Sequence, residues 1–365
     1  MTAVLHVISG LGAGGAESSL ANLARALQQR GMPQHVVSIG DEGVHGSELR
    51  DAGVGLTALN VASTLQAPAA VARLTGVLRR LRPQIVQGWM YHGNLAAALA
   101  HRFAPGRAGR HLLWNLRASN MDAARYGRVI RCGAALSAWP EVVIANSEAG
   151  AEFHASRGFR PRRSLVIANG IDVDRFAPDP AARQALRTEL GIPQDAVVVI
   201  HVARVDPMKD HATFLAAMAA TSGVVGVMVG GRTGSLRTPP NVRAMGLRHD
   251  VARLLAMGDI VISTSAFGEG FSNAIAEGMG AGLVPIATDV GDARRIVGDS
   301  GRVVPPVDPA ALAAAIAAEA ALTPAERAAR GARARTRIVE NFSLAKAVDA
   351  YERLYAALAE QGGPG

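Results

Sequence analysis

The stretch Phe-Gly-Glu-Gly-Phe-Ser-Asn-Ala-Ile-Ala-Glu-Gly, residues 267–278, is a glycine-rich turn that leads into a helical pattern. It follows the apolar, strand-like run 260–265, and Ser272 or Asn273 is a suitable N-cap for the helix. The first turn of a helix has unpaired N–H groups and a partial positive charge. The pattern therefore predicts an anion site that includes Phe271, Ser272 and Asn273. The alternative is a glycine turn before a helix that only packs.

Two carboxylates belong to this stretch. Glu277 follows Asn273 by four residues, which places it about 6 Å along the axis on roughly the same face of the helix. There it could accept hydrogen bonds from the hydroxyls of a ribose. Glu269 stays in the loop before the helix, where it could face whatever is attached beyond a bound diphosphate.

The spacing of Glu269 and Glu277, with seven residues between them, resembles the E-x7-E signature of retaining glycosyltransferases of family four. The likeness extends over nearly all of the chain. It implies the α/β GT-B fold, in which two Rossmann-like, doubly wound parallel-sheet domains face a central cleft. It also implies transfer of a sugar from a nucleotide diphosphate donor, with a UDP-sugar as the expected donor.

Composition limits the class of protein. The chain has 365 residues, enough for two domains with separate cores, and 49% of them are hydrophobic. No run reaches the roughly 18 uncharged apolar residues of a membrane span, and the N-terminus lacks the basic start of a signal peptide. Cys132 is the only cysteine, which fits a reducing compartment. We therefore expect a cytoplasmic protein.

The positive charge lies in the first half of the chain. Residues 1–168 hold 18 Arg and 9 acidic residues, a net charge of +9, whereas residues 169–365 hold 20 basic and 21 acidic residues. This pattern predicts reversible contact with an anionic membrane surface. Nucleic acid is not expected as a partner, because only 4% of residues are aromatic and no recognised binding motif is present. A solvated Arg-rich surface is the alternative. The basic clusters are 79–82, 102–110, 125–131 and 157–163.

The N-terminal strand pattern ends in glycines. Gly10, Gly12 and Gly15 match G-x-G-x-x-G between a strand and a helix, and Asp41 follows the next predicted strand. An NAD(P)-dependent oxidoreductase is therefore an alternative function. In family four a similar loop closes over the donor phosphate, and the resemblance assigns that role to Gly12, Gly14 and Gly15.

Predicted strands and helices then alternate, which is typical of a doubly wound parallel sheet whose ligands lie beyond the carboxyl ends of the strands. Many family members have a histidine at one such end that contacts the donor sugar. This chain has Arg117 or Asn115 there, and His92, after the preceding strand, is the substitute candidate. The alternative interpretation is that His92 is a loop residue whose side chain forms hydrogen bonds only with the backbone.

A hinge is predicted at about 170–195, where Asn-Gly and several prolines indicate turns. The predicted first domain comprises residues 1–168 together with a C-terminal helix at about 345–360. The second comprises residues 169–344.

The loop after the first strand of the second domain contains Arg204 and Lys209, which match the basic pair that family members place on the donor diphosphate. Only 2 of the 38 basic residues are lysines, and a compact ammonium suits a phosphate. No cluster of Asp, His or Cys has metal-ligand spacing, so we expect no metal and no cofactor.

The resemblance to family four, together with these residues, implies a metal-independent retaining glycosyltransferase. Arg204, Lys209 and the N–H groups near Ser272 hold the diphosphate, Glu277 binds the ribose, and Glu269 orients the sugar. The expected acceptor is a lipid-linked or glycan hydroxyl in envelope or exopolysaccharide assembly. A nucleotide-sugar or glycan binding module without turnover is a further alternative.

Overall fold

The computed structural model describes residues 3–105, 110–119 and 123–361. The chain divides into two compact units. Unit 1 is Met1–Gly170 with Leu344–Gly365, and unit 2 is Ile171–Ser343. The boundary predicted from the sequence, between residues 168 and 169, falls two residues before this division.

Unit 1 contains a seven-stranded parallel sheet with the strand order β3-β2-β1-β4-β5-β6-β7. Its strands, β1 to β7, are Val4–Ile8, Gln34–Ser38, Gly55–Ala58, Ile85–Trp89, His111–Leu116, Val142–Ala145 and Ser164–Val166. The central strands β1 and β4 are completely buried, with Val4 opposite Ile85. Such apolar strands are typical of a parallel sheet covered on both faces.

Helices connect these strands. They are α1 Gly15–Gln29, α2 Gly46–Asp51, α3 Ala67–Leu81, α4 Met90–Phe103, α5 Ala123–Leu136 and α6 Glu148–Ser156. Helix α4 begins directly at the end of β4, so His92 lies in a helix and not in a loop. Gly93 allows this close packing, because a Cβ there would lie 2.4 Å from the Val7 carbonyl oxygen on β1.

Unit 2 repeats the plan with a six-stranded parallel sheet in the order β10-β9-β8-β11-β12-β13. Its strands, β8 to β13, are Val197–Val202, Val224–Val229, Val242–Ala244, Ile260–Ser263, Val284–Thr288 and Arg302–Val304. Its helices, α7 to α13, are Pro180–Glu189, His211–Ala219, Val251–Ala256, Asn273–Gly280, Ala293–Val297, Pro309–Ala320 and Pro324–Phe342.

The last helix, α14 (Leu344–Gln361), belongs to unit 1. Val348, Tyr351, Tyr355 and Leu358 share one face of it and are buried in the same core as the apolar face of α1. The Tyr355 hydroxyl donates to the Gln87 side-chain oxygen at 2.6 Å. The final helix therefore completes the core of unit 1.

The prediction of two Rossmann-like parallel-sheet domains is confirmed. In each sheet the strand order reverses direction at one point, between β1 and β4 in unit 1 and between β8 and β11 in unit 2. Ligands of open parallel sheets bind at such switch points, beyond the carboxyl ends of the strands. The predicted site residues follow the strands at these switch points, except Arg117, which follows β5.

Candidate functional site

At the switch point of unit 2, the loop after β8 and the loop after β11 are bonded to each other. The short 3-10 helix Pro207–Lys209 follows β8. The Ala266 amide donates to the Met208 carbonyl at 2.9 Å, and the Thr264 hydroxyl donates to the Lys209 carbonyl at 2.8 Å. Residues 58 and 55 positions apart in the sequence are thereby held side by side.

Lys209 and Glu269 form an ion pair between these two loops. Both side chains are largely buried, with 19% of the Lys209 side chain and 12% of the Glu269 side chain exposed. The Ser265 hydroxyl donates to the Glu269 Oε2 atom at 2.8 Å. The structure therefore brings two predicted site residues into direct contact at the switch point.

Arg204 lies on the same loop as Lys209 and is the more accessible cation. Its side chain is 60% exposed, and its guanidinium donates to the Asp206 carboxylate at 3.1 Å. Asp206 also accepts from the Met208 amide at 3.0 Å. An exposed ion pair of this kind is weak, so the guanidinium can turn to a stronger anion.

Helix α10 begins at Asn273, four residues after Glu269. Ser272 is its N-cap, but the Ser272 side chain makes no capping hydrogen bond, and Asn273 is the first helical residue. The Phe271 side chain is buried and packs edge-to-face against Phe342 with ring centroids 5.4 Å apart. Packing is therefore the role of the Phe271 ring, whereas Asn273 is only half-buried.

Glu277 is half-buried on α10. Burial raises the pKa of its carboxyl group to about 7, and the positive charge of Arg175 opposes this shift. The carboxylate is therefore poised between its two protonation states near neutral pH, and any ligand that requires the ionised form binds in a pH-dependent way.

We predict that the affinity for UDP rises with pH between about 6 and 8. Only the ionised carboxylate can accept hydrogen bonds from both ribose hydroxyls, and one pH unit below its pKa about a tenth of the groups are ionised. Titration calorimetry at pH 6, 7 and 8 measures this slope. The Glu277→Gln variant serves as the control, because it should bind more weakly and with a smaller slope, which reflects only the ionisation of the UDP terminal phosphate near about pH 6. An equal slope in both proteins would contradict the assignment.

In unit 1 the glycine-rich loop follows β1. Gly14 is the N-cap of α1 in an extended conformation without a side-chain cap bond, and Gly15 is the first helical residue. Gly12 is exposed, and a Cβ there would meet nothing within 4 Å. Packing within unit 1 therefore does not require a glycine at position 12. Asp41, the acid of the oxidoreductase alternative, is exposed after β2.

His92 is exposed in the first turn of α4 rather than in a loop. It forms no hydrogen bond or ion pair with the residues that the structure describes. Its place at the carboxyl end of β4 keeps it a candidate for contact with a ligand.

Arg117 follows β5 and points into the core of unit 1. Its guanidinium lies 4.4 Å from the centroid of the buried Trp89 ring and donates to the Tyr351 hydroxyl at 3.0 Å and to Asn115 at 3.1 Å. It also donates to the Asn169 side chain. Burial lowers the Arg117 pKa, with a smaller opposing effect from Tyr351. These contacts favour a structural role that secures α14. Contact with the donor stays a prediction.

Three residues of the unit 2 site were not predicted. Thr264 and Ser265 were predicted only as the end of a strand, and Arg175 only as a position within the hinge at about 170–195. The signal for the first two was their position directly after an apolar strand at a switch point. Over the described ranges, no group of three or more His, Cys, Asp or Glu side chains could hold a metal ion.

Comparison with solved structures identifies the class of fold. Alr3699/HepE from Anabaena, solved in complex with UDP and glucose, aligns with a TM-score of 0.85 over 98% of this chain and all of that one, at 21% identity. Sucrose-phosphate synthase from Thermosynechococcus elongatus aligns with a TM-score of 0.81 over 98% of this chain and 99% of that one, at 18% identity. The fold is GT-B.

Comparison with family models identifies the family. The model for Glycosyltransferase Family 4 matches residues 13–175, and the model for Glycosyl transferases group 1 matches residues 196–319. The chain therefore belongs to glycosyltransferase family four, as the resemblance implied.

Two curated relatives have the same name. The D-inositol 3-phosphate glycosyltransferase of Geodermatophilus obscurus is 33% identical over 233 residues, which are 56% of this chain and 49% of that protein. The enzyme of the same name from Streptomyces avermitilis is 29% identical over 245 residues, 59% of this chain and 51% of that protein. The chain thus spans about half the length of the curated relatives it matches.

Proposed function

We propose that the protein is a retaining glycosyltransferase that moves a sugar from a UDP-sugar to a hydroxyl of a lipid-linked or glycan acceptor in envelope or exopolysaccharide assembly. The observation that carries the proposal is the Lys209–Glu269 pair at the switch point of unit 2, with the exposed Arg204 on the loop that carries Lys209. A cation for the diphosphate and a carboxylate for sugar hydroxyls are the two charges that this donor requires.

In this mechanism the bond between the sugar C1 and the diphosphate oxygen breaks, and negative charge grows on the leaving diphosphate. Arg204, Lys209 and the N–H groups at the start of α10 offset that charge, which is usually the largest catalytic contribution. The acceptor oxygen bonds C1 on the same face, and its proton passes to a diphosphate oxygen. Glu269 orients the sugar through its hydroxyls. We expect no metal requirement, because these groups supply the positive charge.

The comparisons bear on donor and acceptor in different ways. The solved complexes of HepE with UDP and with UDP-glucose support a uridine donor. The inositol phosphate activity of the curated relatives supports a second candidate acceptor, a small phosphorylated polyol. Both acceptors would suit the net charge of +9 in residues 1–168. The family assignment leaves the NAD(P) oxidoreductase alternative without support beyond its three glycines and Asp41.

The test is transfer by the purified chain from a panel of UDP-sugars to phosphorylated polyols and to lipid-linked glycans, with EDTA present. We expect UDP release that depends on one acceptor class, and a product with the anomeric configuration of the donor by NMR. An inverted product would contradict the retaining mechanism. UDP binding without any transfer or hydrolysis would favour a binding module without turnover.

The basic clusters of unit 1 support reversible contact with an anionic membrane at its cytoplasmic face. Arg128 and Arg131 are exposed on α5, whereas the exposed Arg162 and Arg163 precede β7 at the amino edge of the sheet. Arg110 is buried and donates to the Pro83 carbonyl at 3.2 Å, so it does not belong to this surface. Residues 106–109 and the Arg125 side chain lie outside the described part. No described helix has the length and apolar character needed to cross a bilayer.

We predict that replacing both Arg128 and Arg131 with alanine weakens binding to vesicles that contain anionic lipid. Each basic residue near the surface contributes about 1 kcal/mol, so the loss is roughly thirtyfold. Cosedimentation with phosphatidylglycerol vesicles measures it. The matched control replaces Arg162 and Arg163, at the amino edge away from the switch point. An equal loss in both pairs would indicate attraction by net charge rather than by the α5 face.

A further inference from the structure

We propose that Thr264 and Ser265 are positioning residues for donor binding and transfer, the Thr264 hydroxyl through the turn that carries Lys209 and the Ser265 hydroxyl through the Glu269 carboxylate. This inference rests on the proposed function and adds two residues to its site. Both residues lie between the end of β11 and the glycine-rich turn, and both are essentially inaccessible to solvent.

The Thr264 hydroxyl has an unambiguous hydrogen-bond direction. It lies 2.8 Å from the Lys209 carbonyl oxygen and 3.2 Å from the His201 Nε2 atom. A carbonyl oxygen only accepts, so the single hydroxyl proton goes to Lys209 and the His201 Nε2–H donates to Thr264. Burial holds the pKa of His201 well below its usual value, and the charges of His211 and Lys209 act in the same direction. The ring is therefore neutral with its proton on Nε2.

His201 is itself held by packing rather than by further hydrogen bonds. Its ring stacks on Phe214 with centroids 4.9 Å apart and meets His211 edge-on at 4.8 Å. Its Nδ1 atom is buried and has no hydrogen-bond partner among the residues that the structure describes. The hydrogen bonds from His201 to Thr264 and from Thr264 to Lys209 thus end at the Lys209 backbone. The ammonium group of the same lysine pairs with Glu269. Because the lysine stem is flexible, its backbone anchor sets where the ammonium group can reach.

The Ser265 hydroxyl holds the other partner directly. It donates to Glu269 Oε2 at 2.8 Å, and because the carboxylate only accepts, the Ser263 hydroxyl at 3.4 Å is the donor to Ser265. The Ser265 carbonyl accepts from the Thr288 hydroxyl at 2.6 Å, which ties the segment to β12. One carboxylate oxygen is therefore fixed from the strand side. Groups held in this way lose less entropy when they engage a substrate.

The two anchors come from adjacent residues. Any movement of the end of β11 therefore shifts the Lys209 turn and the Glu269 carboxylate together, which keeps their relative position constant. Reaction rates are sensitive to displacements of about 1 Å in such groups. Because Thr264 acts on Lys209 and Ser265 acts on Glu269, replacing Thr264 should affect UDP binding and replacing Ser265 should affect turnover.

The test compares Thr264→Val and Thr264→Ser for UDP affinity, and Ser265→Ala for kcat with a UDP-sugar. We expect T264V to weaken UDP binding about tenfold and T264S to restore it, because serine keeps the hydroxyl. S265A should lower kcat about tenfold with UDP affinity within about twofold of wild type. In a Lys209→Ala background, T264V should cause no further loss of UDP affinity, because it acts through Lys209.

The matched control is Thr221→Val. Thr221 is also buried and also donates to a backbone carbonyl, that of Ala217 at 2.8 Å, but it lies at the end of α8. T221V should lower the melting temperature and change neither UDP affinity nor kcat. If T264V and S265A behave like T221V while the wild-type chain binds UDP and transfers sugar, this inference alone is wrong. If the wild-type chain binds no UDP, the proposed function fails and this inference fails with it.

Discussion

Replacing Glu269 with glutamine is expected to lower kcat for sugar transfer by about two to three orders of magnitude while UDP affinity stays within a few-fold of wild type. Glutamine keeps the shape of the side chain but removes the charge that orients the sugar as the bond to the diphosphate breaks. UDP itself lacks the sugar, so it does not use this contact. Lys209 also loses its ion-pair partner and becomes freer to reach the diphosphate.

Steady-state kinetics with a UDP-sugar and calorimetry with UDP together measure this separation. The Glu277→Gln variant is the matched control, because its carboxyl group lies on α10 and should affect nucleotide binding instead. A Glu269→Gln protein with wild-type kcat would remove Glu269 from the reaction. A loss of UDP affinity as large as the loss of kcat would show that the pair only holds the fold of the loop.

Replacing Lys209 with alanine is expected to weaken UDP binding by about 3 kcal/mol, or roughly a hundredfold. The variant loses the cation that pairs with the diphosphate, and it leaves the Glu269 carboxylate unpaired beside an anionic ligand. Because Glu269 is largely buried, this repulsion is poorly screened by solvent. Lys209→Arg should restore only part of the affinity, since the planar guanidinium does not fit a site built for a compact ammonium group.

The second lysine of the chain provides a direct control for the Lys209→Ala variant. Lys346 is exposed on α14 in unit 1. Lys346→Ala removes the same charge from the whole protein and should leave UDP affinity unchanged. Equal losses of UDP affinity in the two variants would indicate an effect of net charge. An unchanged UDP affinity in Lys209→Ala would contradict the binding of the diphosphate by this loop.

The sequence predicted the fold well because its signals are local. Apolar runs such as 197–202 and 260–263 have the length and composition of buried parallel strands, and their alternation with helices determines the doubly wound plan. The short strand β13 was not predicted, since three residues before a Pro-Pro pair carry little periodicity. The start of α4 at Met90 depends on the contact of Gly93 with β1, which is a tertiary effect.

The candidate site was predicted only as a set of residues. Lys209 and Glu269 were each predicted from the resemblance and from local features of the sequence. Their ion pair spans 60 residues of sequence and depends on the register of β8 beside β11. The inward direction of Arg117 could not be predicted either, because it depends on Tyr351 of the returning helix α14. Side-chain direction is decided by packing partners that the sequence does not place next to each other.

The most direct measurement of the central claim is calorimetric titration of the purified chain with UDP, GDP and NAD, with EDTA present throughout. The proposed site predicts binding of UDP, no binding of NAD, and the same UDP affinity with and without EDTA. Binding of NAD alone would make the glycine-rich loop of unit 1 a dinucleotide site and contradict the proposal. Binding of GDP alone would leave the diphosphate site in place and contradict the uridine donor.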